Sequence, residues 1–432
     1  MSFDHFNFDP KIAAGIRARG FTIPTPIQAQ AIPRVLEGRD VMGLAQTGTG
    51  KTAAFALPIL QRLLQGPRAR VRALILAPTR ELAEQTHVAF GQLGHSTGLR
   101  SATVYGGVSM RPQEQALKGH AEIIVACPGR LLDHLSQGGV NLSHVEVLVL
   151  DEADQMLDMG FLPDMRKIMA RLPAKRQTLL FSATMPETIR KLSQEWLKNP
   201  STVQIGELVP VTTVSHYLYP VKEHLKGELL IELIKNTGGG SVLIFTRTKH
   251  RAKRLDQRLQ KEGFRAASLQ GNLSQNRRKE ALDGFRDGKY DFLVATDIAA
   301  RGIDVSQISH VINYDIPNTP EAYTHRIGRT GRAAKTGDAF TLITDMDTDM
   351  VRQIERRLGR PIERRTLHGF DYHKSQPQGA PHQPSRPPHH GGGHRPQGQP
   401  QQGRPQHGAH GGPPRHGGGP NVAGRSRSRW RR

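Results

Sequence analysis

The 432-residue chain contains one cysteine, Cys127. A lone thiol excludes an internal disulfide and any metal site built from several thiolates, and it fits a reducing compartment. Long apolar runs are also missing. The stretches "ALILA" and "VLVL" fall far short of the roughly 18 residues needed to cross a bilayer. The amino-terminal "MSFDHFNFDP" lacks the basic start and apolar stretch of a secretory signal. These absences predict a cytoplasmic protein with no membrane partner. Acidic residues are scarce beside basic ones, 38 against 60, for a net charge of +22 and a pI near 10.5. A field of that sign gathers polyanions, whether nucleic acid or anionic lipid. Charge by itself does not choose between them.

The length suffices for two or three domains of roughly 100 to 200 residues each. Composition changes near Phe370. Residues 371–432 are mostly Gly, Pro, Gln, His and Arg, with ten basic residues against one acid, a balance of +9. So few aliphatic residues cannot bury enough surface to offset ordering entropy, which predicts a disordered basic tail. Its scattered arginines suit a salt-sensitive RNA tether. Its eight histidines have no fixed spacing for a metal site, and a merely solubilising tail is the plain alternative.

Before the tail, short apolar runs alternate with helix-like segments, the pattern of parallel α/β sheets. "RALILAP", "SATVYGG", "EIIVACP", "VEVLVLDE" and "QTLLFSAT" form one series of strands. "SVLIFT", "RAASLQG", "DFLVATD", "HVINYD" and "DAFTLITD" form a second. The spacer "IGELVPVTT" lies between them. Two α/β domains are predicted, residues 1–205 and 214–370, joined by a linker at 206–213 and followed by the tail at 371–432.

"AQTGTGKT", Ala45 to Thr52, follows the apolar "VMGL". A glycine-rich turn between strand and helix lets backbone N–H groups converge on phosphate oxygens. Lys51 then reaches the terminal phosphates, and the Thr52 hydroxyl is a ligand for Mg²⁺. A nucleotide loop of this kind needs an acid at the end of a neighbouring strand to hold the metal. Asp151 closes such a strand, and Glu152 follows it, placed to orient and deprotonate an attacking water. Asp154 reads equally as part of a solvated acidic turn. In "HRIGRTGR", three-residue spacing puts Arg326, Arg329 and Arg332 along one helix face, either as contacts for γ-phosphate charge or as a plain basic surface.

Taken together, these motifs resemble the DEAD-box RNA helicases of superfamily 2 over roughly Phe3 to Leu367. The matching segments run in order: "GFTIPTPIQ" (Gly20 to Gln28), "AQTGTGKT", "PTRELA" (Pro78 to Ala83), "GG" (Gly106, Gly107), "CPGR" (Cys127 to Arg130), "DEAD" (Asp151 to Asp154) and "SAT" (Ser182 to Thr184). In the second half come "LIFTRT" (Leu243 to Thr248), "QGNLSQNRR" (Gln270 to Arg278), "ATDIAARGIDV" (Ala295 to Val305) and "HRIGRTGR" (His325 to Arg332). The short start and the Gly/Pro/Arg-rich end are similar to the bacterial RhlE-type branch.

The resemblance implies two tandem RecA-like domains that bind Mg²⁺ and ATP and act on RNA. It places Phe21 and Gln28 at the adenine, with Ala45, Gln46, Thr47, Gly48, Thr49, Gly50, Lys51 and Thr52 around the phosphates. Thr52 and Asp151 take the metal, Glu152 the water, and Asp304 the ribose. Arg329 and Arg332 become the fingers. Asp154, Ser182, Thr184, His325 and Arg326 couple hydrolysis to domain closure, the last two by reaching the opposite domain. Pro78, Thr79, Arg80, Gly107, Arg130, Thr248 and Thr296 line the RNA path. Backbone amides, hydroxyls and guanidinium groups suit phosphate and sugar contacts, which hold a strand without reading its sequence. Many members carry Thr where this chain has Cys127; a thiol is a weak donor, so Cys127 is read as a small buried apolar residue. The implied activity is RNA-stimulated ATP hydrolysis coupled to local unwinding or remodelling of RNA duplexes and RNA–protein complexes, with single-stranded and short duplex RNA bound sequence-tolerantly and ribosomal precursors or RNA-decay proteins as expected partners.

Overall fold

Strand after strand in this chain is apolar on both faces, as required when helices cover a parallel sheet from either side. The computed structural model describes residues 2–46, 48–205, 214–300, 308–331 and 337–375. Thr47, Asp304, Arg332, the 206–213 linker and the tail beyond Ser375 lie outside the described residues.

The first half contributes β1 (Val41–Leu44), β2 (Ala73–Leu76), β3 (Ser101–Val104), β4 (Ile123–Ala126), β5 (Val147–Leu150), β6 (Gln177–Ser182) and β7 (Ser201–Gln204). They pair in parallel in the order β3-β4-β2-β5-β6-β1-β7. The second half contributes β8 (Val214–Pro220), β9 (Ser241–Phe245), β10 (Ala266–Leu269), β11 (Phe292–Ala295), β12 (Ile308–Asn313), β13 (Gly337–Ile343) and β14 (Glu363–Arg364). Their order, β10-β11-β9-β12-β13-β8-β14, is the first order with every number raised by seven. The chain therefore folds the same topology twice, as tandem RecA-like sheets within one compact unit.

Side chains alternate cleanly across each sheet. Ala73, Ile75, Val147 and Val149 join one core layer of the first sheet, while Leu74, Leu76, Leu148 and Leu150 join the layer on its other face. Each fully buried aliphatic side chain contributes about 1.5–3 kcal/mol, so this double layer fixes strand register firmly. β5 is shorter than its apolar sequence suggests. It begins at Val147, and the Glu146 side chain before it pairs with the buried Arg72 guanidinium, Nε to Oε1 at 2.6 Å.

The two halves also start equivalent helices in the same way. Thr79 ends the segment after β2 and accepts the Leu82 N–H at 3.2 Å, capping the helix Arg80–Leu93. Thr248 does the same after β9, accepting the Arg251 N–H at 3.2 Å at the start of the helix Lys249–Lys261. A threonine hydroxyl satisfies one of the unpaired donors of a helix's first turn.

Candidate active site

Because β5, β6 and β1 are neighbours, the loops at their carboxyl ends converge on one rim, where ligands of open α/β sheets bind. The loop after β1 turns through Gly48 and Gly50, both with positive φ, the latter at 93°. A Cβ on Gly50 would also lie 2.5 Å from Gln28 Nε2. The helix Lys51–Leu63 then starts directly behind the loop, with its first N–H groups aimed at the rim. Lys51 is buried and donates from Nζ to the Ala45 carbonyl at 2.9 Å. The Thr49 hydroxyl donates to the Gln46 carbonyl at 2.8 Å, and Thr52 is half-buried at the start of the helix.

Gln28 is bound into this loop. Its Oε1 accepts the Thr25 N–H at 2.9 Å and its Nε2 donates to the Gly50 carbonyl at 3.1 Å. The amide thus connects the helix Pro26–Leu36 to the last glycine of the phosphate loop. Phe21 is half-buried nearby, with its ring stacked on Phe3 at 6.0 Å between centroids.

Across the rim, Asp151 and Glu152 are buried at the end of β5. Burial pushes the Asp151 carboxyl up to about 6, with the Lys51 charge pulling it down and Glu152 pushing it up further. Glu152 itself holds a left-handed backbone, φ 51°, and donates its N–H to Asp151 Oδ1 at 3.0 Å. A non-glycine residue there costs of order 1–3 kcal/mol, and such strain concentrates at functional sites. The conformation starts the helix Ala153–Asp158 immediately.

Asp154 has a different set of partners. Its Oδ2 accepts from Ala183 N (3.2 Å), Thr184 N (2.9 Å) and Thr184 Oγ1 (2.8 Å). Ser182 Oγ donates to the Thr184 carbonyl at 2.7 Å, while the Ser182 carbonyl accepts the Ala45 N–H at 3.0 Å. The phosphate loop, the acidic turn and "SAT" are therefore one hydrogen-bonded unit.

The second half closes the rim. His325 and Arg329, on and just beyond the helix Pro320–Ile327, line a cavity of about 330 Å³ together with Gln155 and Asp158 of the first half. Burial lowers the His325 pKa, against the pull of Asp154 and Glu152 across the cleft. Arg329 is buried. Arg326 lines the same cavity and is tied into its own half. It forms a bidentate pair with Asp297 (2.5 and 2.7 Å) and donates to the Asn313 side chain (3.1 Å) and the Asp315 carbonyl (2.6 Å). These bonds anchor its helix.

The residues expected along an RNA path form a second group. Gly107 has φ 77°, and a Cβ there would lie 2.2 Å from the Arg80 guanidinium. Arg130 Nη1 donates to the Val108 carbonyl at 3.1 Å, so both arginines flank one loop. Pro78 is buried, while Thr296 is half-buried at the end of β11. Cys127 is buried and its thiol is pushed up to about 12 by desolvation, which leaves it unreactive.

Two cross-half contacts were not legible in the sequence. Arg278 binds Glu81 through Nε (2.9 Å) and Nη2 (2.6 Å), and Arg80 Nη1 donates to Gln275 Oε1 at 3.2 Å. All four residues stand in or beside recognised motifs, but nothing local shows that residues 197 positions apart meet.

For a divalent cation, the donors present are the Asp151 carboxylate and the Thr52 hydroxyl, both hard oxygen ligands that suit Mg²⁺. Among the described residues no group of three or more His, Cys, Asp or Glu is arranged to hold a metal. One or two such ligands would hold Mg²⁺ together with nucleotide phosphates.

Two RecA-like sheets, a phosphate loop facing buried acids, and arginine and histidine presented from the second sheet define a nucleoside-triphosphate-driven motor. Residues 25–192 match the DEAD/DEAH box helicase family and residues 225–334 the helicase conserved C-terminal domain. The DEAD-box ATP-dependent RNA helicase CshA of Geobacillus kaustophilus is 43% identical over 84% of this chain and 78% of its own length. CshA of Streptococcus pneumoniae is 46% identical, covering 82% of this chain and 68% of that one. The structure of Saccharomyces cerevisiae Dbp5 bound to RNA and ADP BeF3 superposes with a TM-score of 0.77 at 33% identity, covering 84% of this chain and 95% of that one. The chain belongs to the DEAD-box ATP-dependent RNA helicases and is an RNA-stimulated ATPase. Both of these bacterial relatives carry the name CshA, which corrects the expected RhlE-type branch. Among the described residues no helix is long and apolar enough to cross a membrane.

Proposed function

We propose that residues 1–205 and 214–370 act as two bodies that close over ATP and single-stranded RNA, separate short duplexes locally, and reopen after hydrolysis. The observation that carries this reading is the hydrogen-bonded unit of Ala45, Ser182, Asp154 and Thr184, which ties the nucleotide loop to the face that receives His325 and Arg329. Lys51 and the loop amides bind the phosphates, Gln28 holds Gly50 in place for the base, and Thr52 with Asp151 holds Mg²⁺. The cation supplies charge neutralisation on the transferred phosphoryl group. Glu152 orients the attacking water and accepts its proton. Arg329 stabilises charge developing on the phosphoryl oxygens, with Arg332 and Asp304 proposed alongside it.

Pro78, Thr79, Arg80, Gly107 and Arg130 hold RNA backbone from one side, Thr248 and Thr296 from the other. Thr79 and Thr248 accept the Leu82 and Arg251 N–H groups as helix caps, so each O–H can donate to a phosphate oxygen beside a helix N-terminus. The buried pair Arg278–Glu81 favours the closed arrangement. Sequence-tolerant backbone contacts and the basic tail suit structured RNA in ribosome assembly or RNA decay within the cytoplasm.

Glu152→Gln tests the assignment: ATP and RNA binding persist while turnover stalls, and hydrolysis at the parental rate overturns it. A strand-displacement assay run beside the ATPase separates unwinding from clamping. RNA-stimulated hydrolysis without release of a short strand identifies a nucleotide-gated clamp instead.

A further inference from the structure

One face of the second sheet carries a buried polar row through an otherwise apolar layer. His216 on β8, Thr341 on β13 and Asn313 on β12 lie on neighbouring strands, in register at Ala339–His216 and Asn313–Thr341. Thr341 and Asn313 are fully buried, and His216 nearly so. Tyr323, fully buried on the helix Pro320–Ile327, lies across them. Polar groups placed in such a layer cost stability unless each finds a partner.

Each one does. Arg360 Nη2 lies 3.0 Å from His216 Nε2, and His216 Nδ1 lies 3.1 Å from Tyr323 Oη. Arginine only donates, so Nε2 is the acceptor and the proton of the neutral ring sits on Nδ1, donating to the tyrosine. Burial and the Arg360 charge both lower the His216 pKa, in keeping with that neutral form. Tyr323 bonds onward to Thr341. Asn313 Nδ2 donates to Thr341 Oγ1 at 3.0 Å, and Asn313 Oδ1 accepts from Arg326 Nη1 at 3.1 Å. The row therefore runs without a break from an exposed arginine after the helix Thr348–Leu358 to the arginine that anchors the helix end bearing Arg329.

We propose that this row is an alignment device for the helix Pro320–Ile327, and that His216 and Tyr323 are positioning residues that set where Arg329 is presented to the nucleotide. An apolar layer would hold the helix equally well against unfolding but would let it roll or slide; directional bonds at His216, Thr341 and Asn313 accept one placement. None of these residues touches substrate. The proposal rests on the reading of Arg329 given above.

The full-length protein is assayed for RNA-stimulated ATP hydrolysis with a single-stranded RNA oligonucleotide, and thermal midpoints are recorded in parallel. Tyr323→Phe keeps the ring and removes the hydroxyl. It is expected to lower kcat about tenfold while KM for ATP stays within about twofold, the pattern of lost transition-state positioning. His216→Leu should match it. His216→Gln, which retains an acceptor for Arg360 and a donor for Tyr323, should return kcat to within about threefold of the parent. Parental kcat in Tyr323→Phe, beside a slowed Arg329→Ala, overturns the alignment proposal alone. Equal loss in the Leu and Gln variants also overturns it, because packing then explains the effect. A parental rate in Arg329→Ala overturns the reading of Arg329 itself.

Discussion

Glu81 accepts two hydrogen bonds from Arg278, at 2.9 and 2.6 Å, and both residues are buried although 197 positions separate them. One stands in "PTRELA" and the other in "QGNLSQNRR", so the pair joins the two halves of the motor. Removing one partner of such a pair leaves an uncompensated charge, which costs about 3–5 kcal/mol where it stays buried. On the proposed cycle, opening of the halves re-exposes the survivor to water. The cost therefore falls on the closed form and not on folding. Arg278→Met should reduce RNA-stimulated kcat at least about tenfold while the thermal midpoint moves by less than about 2 °C. A parental rate, or a large drop in the midpoint, contradicts a latch specific to closure.

The bonds made by Asp154 predict an order of stability loss. Asp154→Ala leaves the Ala183 and Thr184 amides and the Thr184 hydroxyl without their acceptor. Leaving the N–H of buried Ala183 unpaired costs about 1–3 kcal/mol, and each of the two bonds of half-buried Thr184 about 0.5–1.5 kcal/mol, so the loss should reach about 2–6 kcal/mol. Thr184→Ala removes only the hydroxyl bond and should cost about 1 kcal/mol. Urea unfolding of the two variants checks the order, and equal losses would show that Asp154 does not organise "SAT".

Asp151 makes the protein pH-sensitive in a calculable direction. Its folded pKa is raised from 3.8 to about 6. Below the unfolded value both states are protonated and the group contributes nothing. Between about pH 4 and 6 the folded state retains a proton that the unfolded state has released, so stability falls as pH rises and the deficit persists above that window. In the absence of nucleotide and Mg²⁺, Asp151→Asn should therefore be more stable than the parent at pH 7, by up to about 3 kcal/mol, and no more stable at pH 3.5. Its ATPase should be abolished. Thermal melts at the two pH values decide the matter; a variant less stable at pH 7 refutes the electrostatic argument.

Gly107 and Arg80 form a linked pair for RNA affinity. Alanine at 107 must adopt φ 77° and would place Cβ 2.2 Å from the Arg80 guanidinium, which has to move. Gly107→Ala and Arg80→Ala should weaken RNA binding similarly, and Arg80→Ala should reduce the slope of log affinity against log salt by about one. Fluorescence anisotropy across a salt series measures both. An unchanged slope in Arg80→Ala removes that arginine from the phosphate contacts.

Much of the site was legible because its chemistry is local in sequence. The glycines of "AQTGTGKT", the acids after "VLVL" and the "SAT" hydroxyls carry their reactivity in neighbouring residues, and apolar runs bounded by turns mark ten of the strands. The other four, the interior β1 and β8 and the edge strands β7 and β14, lay outside those series. β7 is only four residues long with alternate residues exposed, and β14 is a two-residue edge. Neither has the continuous apolar run of a strand covered on both faces. Arg326 shows the limit on side-chain direction: helix spacing placed it on a basic face, but Asp297, Asn313 and Asp315 turn it inward.

The sequence alone determined the repeated α/β plan, the nucleotide loop, the acidic turn and the basic balance, because periodicity, turn chemistry and charge are properties of short segments. Only the tertiary structure decided that Gln28 is tied to Gly50, that Arg278 meets Glu81, and that His216 is joined through Tyr323 to the helix that precedes Arg329. Those contacts join residues 22, 197 and 107 positions apart. The residues meet because two sheets of identical topology bring them there, and burial makes each polar group costly to leave unpaired.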